Sequence, residues 1–135
     1  MDLYCVMGNP VEHSRSPWIH ARFAELCNQP IAYERRLVAL GAFAEGIAAF
    51  RREAAERGDH AGGCNVTVPF KFDAAAIAQH TSERAMLAGA VNTLRFAADG
   101  DIHADNTDGI GLVNDIERNA RVPLAGRSLL LIGAG

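Results

Sequence analysis

Two charged side chains and a pair of serines are the residues of this sequence best suited to chemistry. Lys71 can give a proton and Asp108 can accept one, so they form the only plausible acid–base pair. Proton exchange between a lysine and a carbonyl or hydroxyl oxygen serves alcohol–ketone interconversion beside a hydride carrier. Ser14 and Ser16 suit a carboxylate, which accepts hydrogen bonds from hydroxyls and is favoured at a helix N-terminus.

Two further polar residues complete this set. Thr67 and Asn92 can each donate and accept a hydrogen bond, which is what a ring bearing several hydroxyls requires of its site. Together with the acid–base pair and the serines, they predict a polyhydroxylated carboxylic acid as the ligand.

Each of these residues also has an ordinary structural explanation. Ser16 before Pro17 can be a simple helix cap, and Lys71 in a first helical turn can be a solvated surface lysine. Asp108 can complement a helix dipole, and Asn92 can be an edge-strand residue. Taken one at a time, the residues leave both interpretations open.

A metal site is a further possibility, which the spacing favours only weakly. Asp101, His103 and Asp105 alternate along one predicted strand and could be imagined as ligands. No fourth ligand is apparent, and the strand can simply expose that face. We therefore expect no metal.

Alternating strands and helices must position these residues. Short apolar runs predict strands at 3–7, 31–40 and 63–68. Helical spacing follows each of them, beginning at Ser16, at Phe43 and at Pro69 and extending to Cys27, to Ala54 and to Gln79. This alternation is typical of a parallel sheet with helical crossovers, and we expect most methionines and aromatic residues in its core. The carboxyl ends of such strands would carry the ligand.

The alternation then gives way to a hairpin. Residues 90–96 and 101–105 are extended runs separated by the turn signal 97–100. A turn centred on Asp99 and Gly100 would place Asn92 opposite Thr107, next to Asp108. Helical spacing resumes over 107–119, with Asn106 or Thr107 available as its cap. The expected fold class is α/β: a mainly parallel sheet flanked by helices, with an antiparallel hairpin pair.

The last residues resemble the opening of a nucleotide-binding domain. Residues 128–132 are apolar and predict a strand, followed by Gly133, Ala134 and Gly135. These three match the start of a glycine loop, but the rest of G-x-G-x-x-G and its helix are absent. We expect a substrate domain at 1–120 and, at 121–135, a linker and the first strand of a truncated Rossmann-like domain. A strand without its sheet could drive self-association.

Composition and charge favour a small-molecule partner. The chain has 135 residues, of which 49% are hydrophobic and 21% charged, as in ordinary globular domains. A net charge of -3 without runs of like charge argues against nucleic acid or a membrane surface as partner. Three scattered cysteines, no apolar run of membrane-spanning length and no targeting segment favour a reducing cytoplasm.

Four motifs, in order along the chain, resemble the shikimate dehydrogenase family. They are the stretches 8–17 (GNPVEHSRSP), 65–71 (NVTVPFK), 88–93 (AGAVNT) and 105–109 (DNTDG). Their joint occurrence over nearly the whole chain is far more specific than any one of them.

The resemblance implies an NADP-dependent enzyme that reversibly reduces 3-dehydroshikimate to shikimate, on the route to aromatic amino acids. It assigns the substrate carboxylate to Ser14 and Ser16. It assigns the ring hydroxyls to Thr67, Lys71, Asn92 and Asp108, with Lys71 as catalytic acid–base and Asp108 as its partner. It also places Glu83 near the cofactor, to which Gly133, Ala134 and Gly135 would contribute.

Parts of the family pattern are missing from this sequence. The rest of the glycine loop, the basic motif that selects NADP, and a downstream glutamine and tyrosine of the pocket are absent, so the chain alone should bind substrate without turning it over. Alternatives are a quinate or dual quinate/shikimate dehydrogenase, or a non-catalytic module that binds a hydroxylated acid. Because such a module would have no use for an acid–base pair, Lys71 and Asp108 favour the enzyme.

Overall fold

The computed structural model describes residues 1–133, which contain six strands and five α-helices. The strands are β1 (Asp2–Gly8), β2 (Ile31–Leu37), β3 (His60–Val66), β4 (His80–Thr81), β5 (Thr93–Phe96) and β6 (Ile102–Asp105). The helices are α1 (Ser16–Cys27), α2 (Phe43–Glu56), α3 (Lys71–Ile77), α4 (Glu83–Ala88) and α5 (Asp108–Asn114), and α5 continues as a π-helical segment at Asp115–Asn119.

The strands form one sheet in the order β2-β1-β3-β5-β6-β4. Parallel pairs join β1 to β2, β1 to β3, and β4 to β6, whereas β5 is antiparallel to both of its neighbours. The predicted α/β class, with a mainly parallel sheet and an antiparallel hairpin, is confirmed. Because β5 alone among the six strands is reversed, β1, β3 and β6 end at the same edge of the sheet.

The hairpin register differs by one residue from the prediction. Thr93 pairs with Asp105 rather than with Asn106, because Ala97 donates its N–H to Asp101 and so closes the turn one position earlier. Asn92 therefore does not lie directly opposite Thr107, although its side chain reaches that residue.

The core lies between the sheet and α2 and α3. Phe43, Ile47, Phe50 and Ala54 form the buried face of α2, at the helical spacing seen in the sequence. Full burial of such side chains stabilises the fold by roughly 1.5–3 kcal/mol each for the larger ones.

Helix α1 contributes no buried residue to this core. The expectation that methionines and aromatic residues lie mostly in the core holds for Met7 and Phe50 but is wrong for Trp18, Phe23 and Phe72, which are exposed. The described residues cover the second face of the sheet only with α1, so an apolar side chain on that helix has little to pack against.

Two short elements lay outside the sequence prediction, and one predicted strand does not form. The additions are β4 and α4. Residues 128–132 have no strand pairing, and Leu129, Leu130, Leu131 and Ile132 are 75–89% exposed. A strand needs a partner for its backbone N–H and C=O groups, and no partner for this segment is found among residues 1–133. Ala134 and Gly135 lie outside the described residues.

A search of residues 1–133 finds no helix with both the length and the apolar character needed to cross a membrane.

Candidate functional site

The loops that follow β1 and β3 meet at the carboxyl edge of the sheet. The Asn9 N–H donates to the Val68 carbonyl at 2.9 Å, and the Thr67 N–H donates to the Met7 carbonyl at 2.9 Å. A Cβ at Gly8 would lie 2.4 Å from Cγ2 of Thr67, so the close approach of these loops requires glycine there. This contact fixes Thr67 beside the loop that carries the two serines.

The serine hydroxyls lie together at the start of α1. Ser14 Oγ donates to Ser16 Oγ at 3.1 Å and accepts from the Ser16 N–H at 3.2 Å. Ser16 is the first helical residue rather than the predicted cap, because the residue before it, Arg15, occupies the cap position without a side-chain capping bond. The helix thus begins at a pair of hydroxyls and its positive dipole end, an arrangement suited to an anion.

A guanidinium from β2 holds this serine loop in place. Arg35 donates from Nε and Nη2 to the Ser14 carbonyl, at 2.9 and 2.6 Å. Sequence reasoning assigned no role to Arg35. The sequence offered no local signal for this contact, because only the structure shows which loop Arg35 reaches.

Lys71 and Asp108 lie against each other although 37 positions separate them. Lys71 Nζ is 2.5 Å from Asp108 Oδ2, and the side chains are 32% and 53% exposed. Each is the first residue of its helix, α3 or α5, and both helices start at the edge where the serines lie. The predicted proximity of the pair is therefore present in the structure.

Asn92 joins the acid–base pair to the hairpin. Its Nδ2 donates to Asp108 Oδ1 at 2.7 Å and to Thr107 Oγ1 at 2.9 Å. Its Oδ1 accepts from the Thr107 N–H at 2.9 Å. The Asn92 backbone N–H is bonded to the Asp105 carbonyl at 3.1 Å. These bonds fix the amide so that its NH₂ group faces the carboxylate of Asp108.

A second ion pair anchors the end of β6 just before Asp108. Arg84 donates from Nε to Asp105 Oδ1 at 2.7 Å and from Nη2 to Oδ2, and the Ser82 hydroxyl donates to Oδ1 at 2.6 Å. The hydrogen bond from Arg84, helped by Ser82 and the Asn106 N–H, holds the pKa of Asp105 well below its usual range despite partial burial. The sequence offers Asp101 and Asp105 as possible metal ligands, but Asp105 is paired with Arg84 and Asp101 is paired with His80.

The cavity enclosed by these elements has a volume of about 410 Å³, within the range of small-molecule sites. Its polar lining contains all six residues predicted to bind substrate. They are Ser14, Ser16, Thr67, Lys71, Asn92 and Asp108, and His13, His20 and Asn65 also line it. The lining thus carries two hydroxyls beside a helix N-terminus and also an amine in contact with a carboxylate.

Two of the residues predicted to contact a cofactor, Glu83 and Gly133, lie outside this cavity. Glu83 is an exposed residue at the start of α4, and neither it nor Gly133 lines this cavity. Gly133 has a positive φ of +101°, a conformation that suits glycine. Ala134 and Gly135 fall outside the described residues. Among residues 1–133, no group of three metal-ligating side chains is arranged to hold a metal ion.

The sequence and the structure of this chain both resemble those of known proteins. A family model described as the shikimate dehydrogenase substrate binding domain matches residues 6–94. A shikimate dehydrogenase (NADP(+)) from Paracidovorax citrulli is 66% identical over 134 residues, covering 99% of this chain and 46% of the relative. The chain therefore spans about half the length of the curated relatives it matches.

Two solved structures share the fold. An Ael1 enzyme from Pseudomonas putida superposes with a TM-score of 0.83 at 44% identity, covering 92% of this chain and 43% of that one. A shikimate 5-dehydrogenase from Thermus thermophilus, in complex with NADP(H) and shikimate, gives a TM-score of 0.75 at 30% identity, covering 91% and 44% of the respective chains.

Proposed function

The chain belongs to the shikimate dehydrogenase family, and from this membership we propose that it is the substrate-binding part of an NADP-dependent enzyme that reversibly reduces 3-dehydroshikimate to shikimate. We propose residues 1–120 as this part and 121–135 as the link to a nucleotide-binding domain. The proposal is supported by the relatives named as NADP-dependent and by the Thermus thermophilus structure that contains both ligands.

One observation carries the proposal: Lys71 Nζ and Asp108 lie 2.5 Å apart in the same cavity as the paired hydroxyls of Ser14 and Ser16. Shikimate is a carboxylic acid with several ring hydroxyls, and reduction of its keto form needs a proton at the carbonyl oxygen. A site with an anion subsite at one end and a proton donor at the other matches these needs.

The serine end of the cavity binds the substrate carboxylate in this proposal. The hydroxyls of Ser14 and Ser16 donate hydrogen bonds to it. The positive end of the dipole of α1, a helix of twelve residues, also favours a carboxylate there. Thr67 and Asn92 exchange hydrogen bonds with the ring hydroxyls, since each can both donate and accept.

The lysine end carries the proton transfer. During reduction the carbonyl carbon gains a hydride, which NADPH supplies when bound. Lys71 Nζ gives the proton to the carbonyl oxygen, and Asp108 holds that amine at the oxygen through its Oδ2 contact. In the reverse direction Lys71 takes the proton from the hydroxyl.

The described residues fit only the beginning of a nucleotide site. Gly133, with its positive φ, is compatible with the tight turn that opens a glycine loop. We propose that Gly133 to Gly135 and Glu83 contribute to NADP binding, and that the remaining contacts come from a further part of the protein, as the length of the relatives suggests.

Two properties of the described chain support proposals about its surroundings. Cys5, Cys27 and Cys64 are all free, which supports a reducing, cytoplasmic compartment. The exposed apolar residues 129–132 support self-association, for which light scattering over a concentration series is the check. A monomer at every concentration contradicts it.

The functional test measures NADPH oxidation with 3-dehydroshikimate in the protein extended through its nucleotide-binding part. Lys71→Ala should lower turnover on the order of 10²-fold or more, the usual contribution of a general acid–base group. Lys71→Arg is the matched variant, because it keeps the charge and the hydrogen-bond donors, but a guanidinium stays protonated near neutral pH and so cannot serve as the general acid–base group. It should bind shikimate and still turn over slowly.

Other outcomes distinguish the alternatives. Normal turnover by Lys71→Ala would show that the acid–base assignment is wrong. Faster oxidation of quinate than of shikimate would indicate a quinate dehydrogenase. Shikimate binding without any turnover by the extended protein would indicate a non-catalytic binding module.

A further inference from the structure

A chain of side-chain hydrogen bonds runs from β2 across the sheet to the acid–base pair. Tyr33 Oη donates to Asn65 Oδ1 at 2.7 Å, and Asn65 Nδ2 donates to Thr93 Oγ1 at 3.2 Å. Thr93 Oγ1 donates to Asn92 Oδ1 at 3.0 Å, and Asn92 Nδ2 donates to Asp108 Oδ1 at 2.7 Å. This series of hydrogen bonds thus links β2, β3 and β5 to Asp108, a residue of the cavity, and its first bond passes over β1, which lies between β2 and β3.

The proton order along this chain is fixed by its last member. A carboxylate only accepts, so Asn92 must direct its NH₂ group at Asp108 and its oxygen at Thr93. Thr93 has one hydroxyl proton, which it gives to Asn92, so it must accept from Asn65.

The first member must then be a donor. Asn65 uses its NH₂ group on Thr93, so its oxygen faces Tyr33, whose hydroxyl supplies the proton. Burial raises the pKa of Tyr33 well above its usual range, which keeps this hydroxyl protonated. The ring is held by stacking on His20, with centroids 4.2 Å apart and planes 4° from parallel.

We propose that Tyr33 is a positioning residue for the site: its hydroxyl fixes the Asn65 amide and, through Thr93, the orientation of Asn92 toward Asp108. The effect of Tyr33 on shikimate binding rests on the proposed function, whereas the series of hydrogen bonds does not. The Thr107 N–H also holds Asn92 Oδ1, at 2.9 Å, so loss of Tyr33 should weaken the arrangement rather than abolish it.

The test compares Tyr33→Phe with Tyr4→Phe in the 135-residue protein. Tyr4 is the register neighbour of Tyr33 on β1, and within residues 1–133 its hydroxyl has no side-chain hydrogen bond. Each variant removes one hydroxyl and keeps the ring. Thr93→Val removes the middle hydroxyl of the same series of hydrogen bonds and is a second, independent test of it.

The first measurement is nuclear magnetic resonance of the asparagine side-chain amides. Tyr33→Phe should shift the Asn65 and Asn92 amide signals and accelerate their hydrogen exchange, and Thr93→Val should alter the Asn92 signals in the same direction. Tyr4→Phe should leave both residues unchanged. Asn92 signals that move in Thr93→Val but not in Tyr33→Phe would overturn the inference.

The second measurement is calorimetric titration with shikimate. Tyr33→Phe should weaken binding by roughly three- to tenfold, as expected for one lost hydrogen bond between neutral groups, and Tyr4→Phe should bind like the parent. If the Asn92 signals were altered but the protein did not bind shikimate, the series of hydrogen bonds would be supported and the proposed function would be contradicted. If both tyrosine variants bound shikimate with the affinity of the parent, the proposed function would stand and the positioning role of Tyr33 would be contradicted.

Discussion

Replacing Asp108 by asparagine should destabilise the protein, because two donors converge on its carboxylate. Lys71 Nζ lies 2.5 Å from Oδ2 and Asn92 Nδ2 lies 2.7 Å from Oδ1. An asparagine offers one oxygen and one NH₂ group, so whichever way it turns, one donor faces another donor.

The expected loss in the free energy of unfolding is about 1–2 kcal/mol. A hydrogen bond to a charged group contributes about 1.5–3 kcal/mol, but exposed ion pairs contribute only about 0–1 kcal/mol. Lys71 and Asp108 are 32% and 53% exposed, so the value should fall between these two ranges.

Urea unfolding at neutral pH measures this loss, and a double-mutant cycle with Lys71→Met separates its causes. In the double variant, the asparagine oxygen can face Asn92 while its NH₂ group faces an apolar side chain. The two substitutions together should therefore cost less than their sum, by on the order of 1 kcal/mol. An Asp108→Asn protein as stable as the parent, or strictly additive effects, would refute the two-donor geometry.

The remaining predictions concern the two guanidinium contacts around the site. Arg35→Gln should weaken shikimate binding by about three- to tenfold, because the Ser14 carbonyl loses a bidentate partner; unchanged calorimetric affinity would show that this clamp is dispensable. The lowered pKa of Asp105 in the folded protein means that its contact with Arg84 stabilises fully above the unfolded pKa of about 4. This stability declines as the pH falls below that value and is gone only when the pH passes below the lowered pKa of the folded state. The difference in thermal unfolding between the parent and Asp105→Asn should accordingly be largest at pH 7 and shrink steadily below about pH 4, whereas a constant difference would contradict the assignment.

The features that sequence predicted well are those set by local pattern. The apolar stripe of α2, with Phe43 and Phe50 on one face, needs only helical spacing and a sheet to cover. The proximity of Asn92 and Asp108 followed from the hairpin, since the turn at 97–100 brings the two arms together. The register was wrong by one residue because the closing bond of a turn cannot be chosen from its composition alone.

The features that sequence missed depend on contacts between distant segments. Arg35 acquires its role from the loop before α1 and Tyr33 acquires its role from Asn65 on β3, and no spacing along β2 specifies either contact. Trp18 is of a residue type that is often buried, yet it is exposed because no described element covers α1. The short helix α4 had a usable local signal, since Ser82 caps it and Gly89 ends it.

The hairpin makes the length of a remote turn a condition for the arrangement of side chains in the cavity. Side chains alternate between the two faces of a strand, so inserting a single residue at 97–100 and sliding β6 by one place would reverse the facing of Asp105. Asp108 would then leave the reach of Asn92 and Lys71, although no residue that touches the ligand had been altered. In this protein, the number of residues in the turn of the hairpin therefore determines whether Asp108 can reach Asn92 and Lys71.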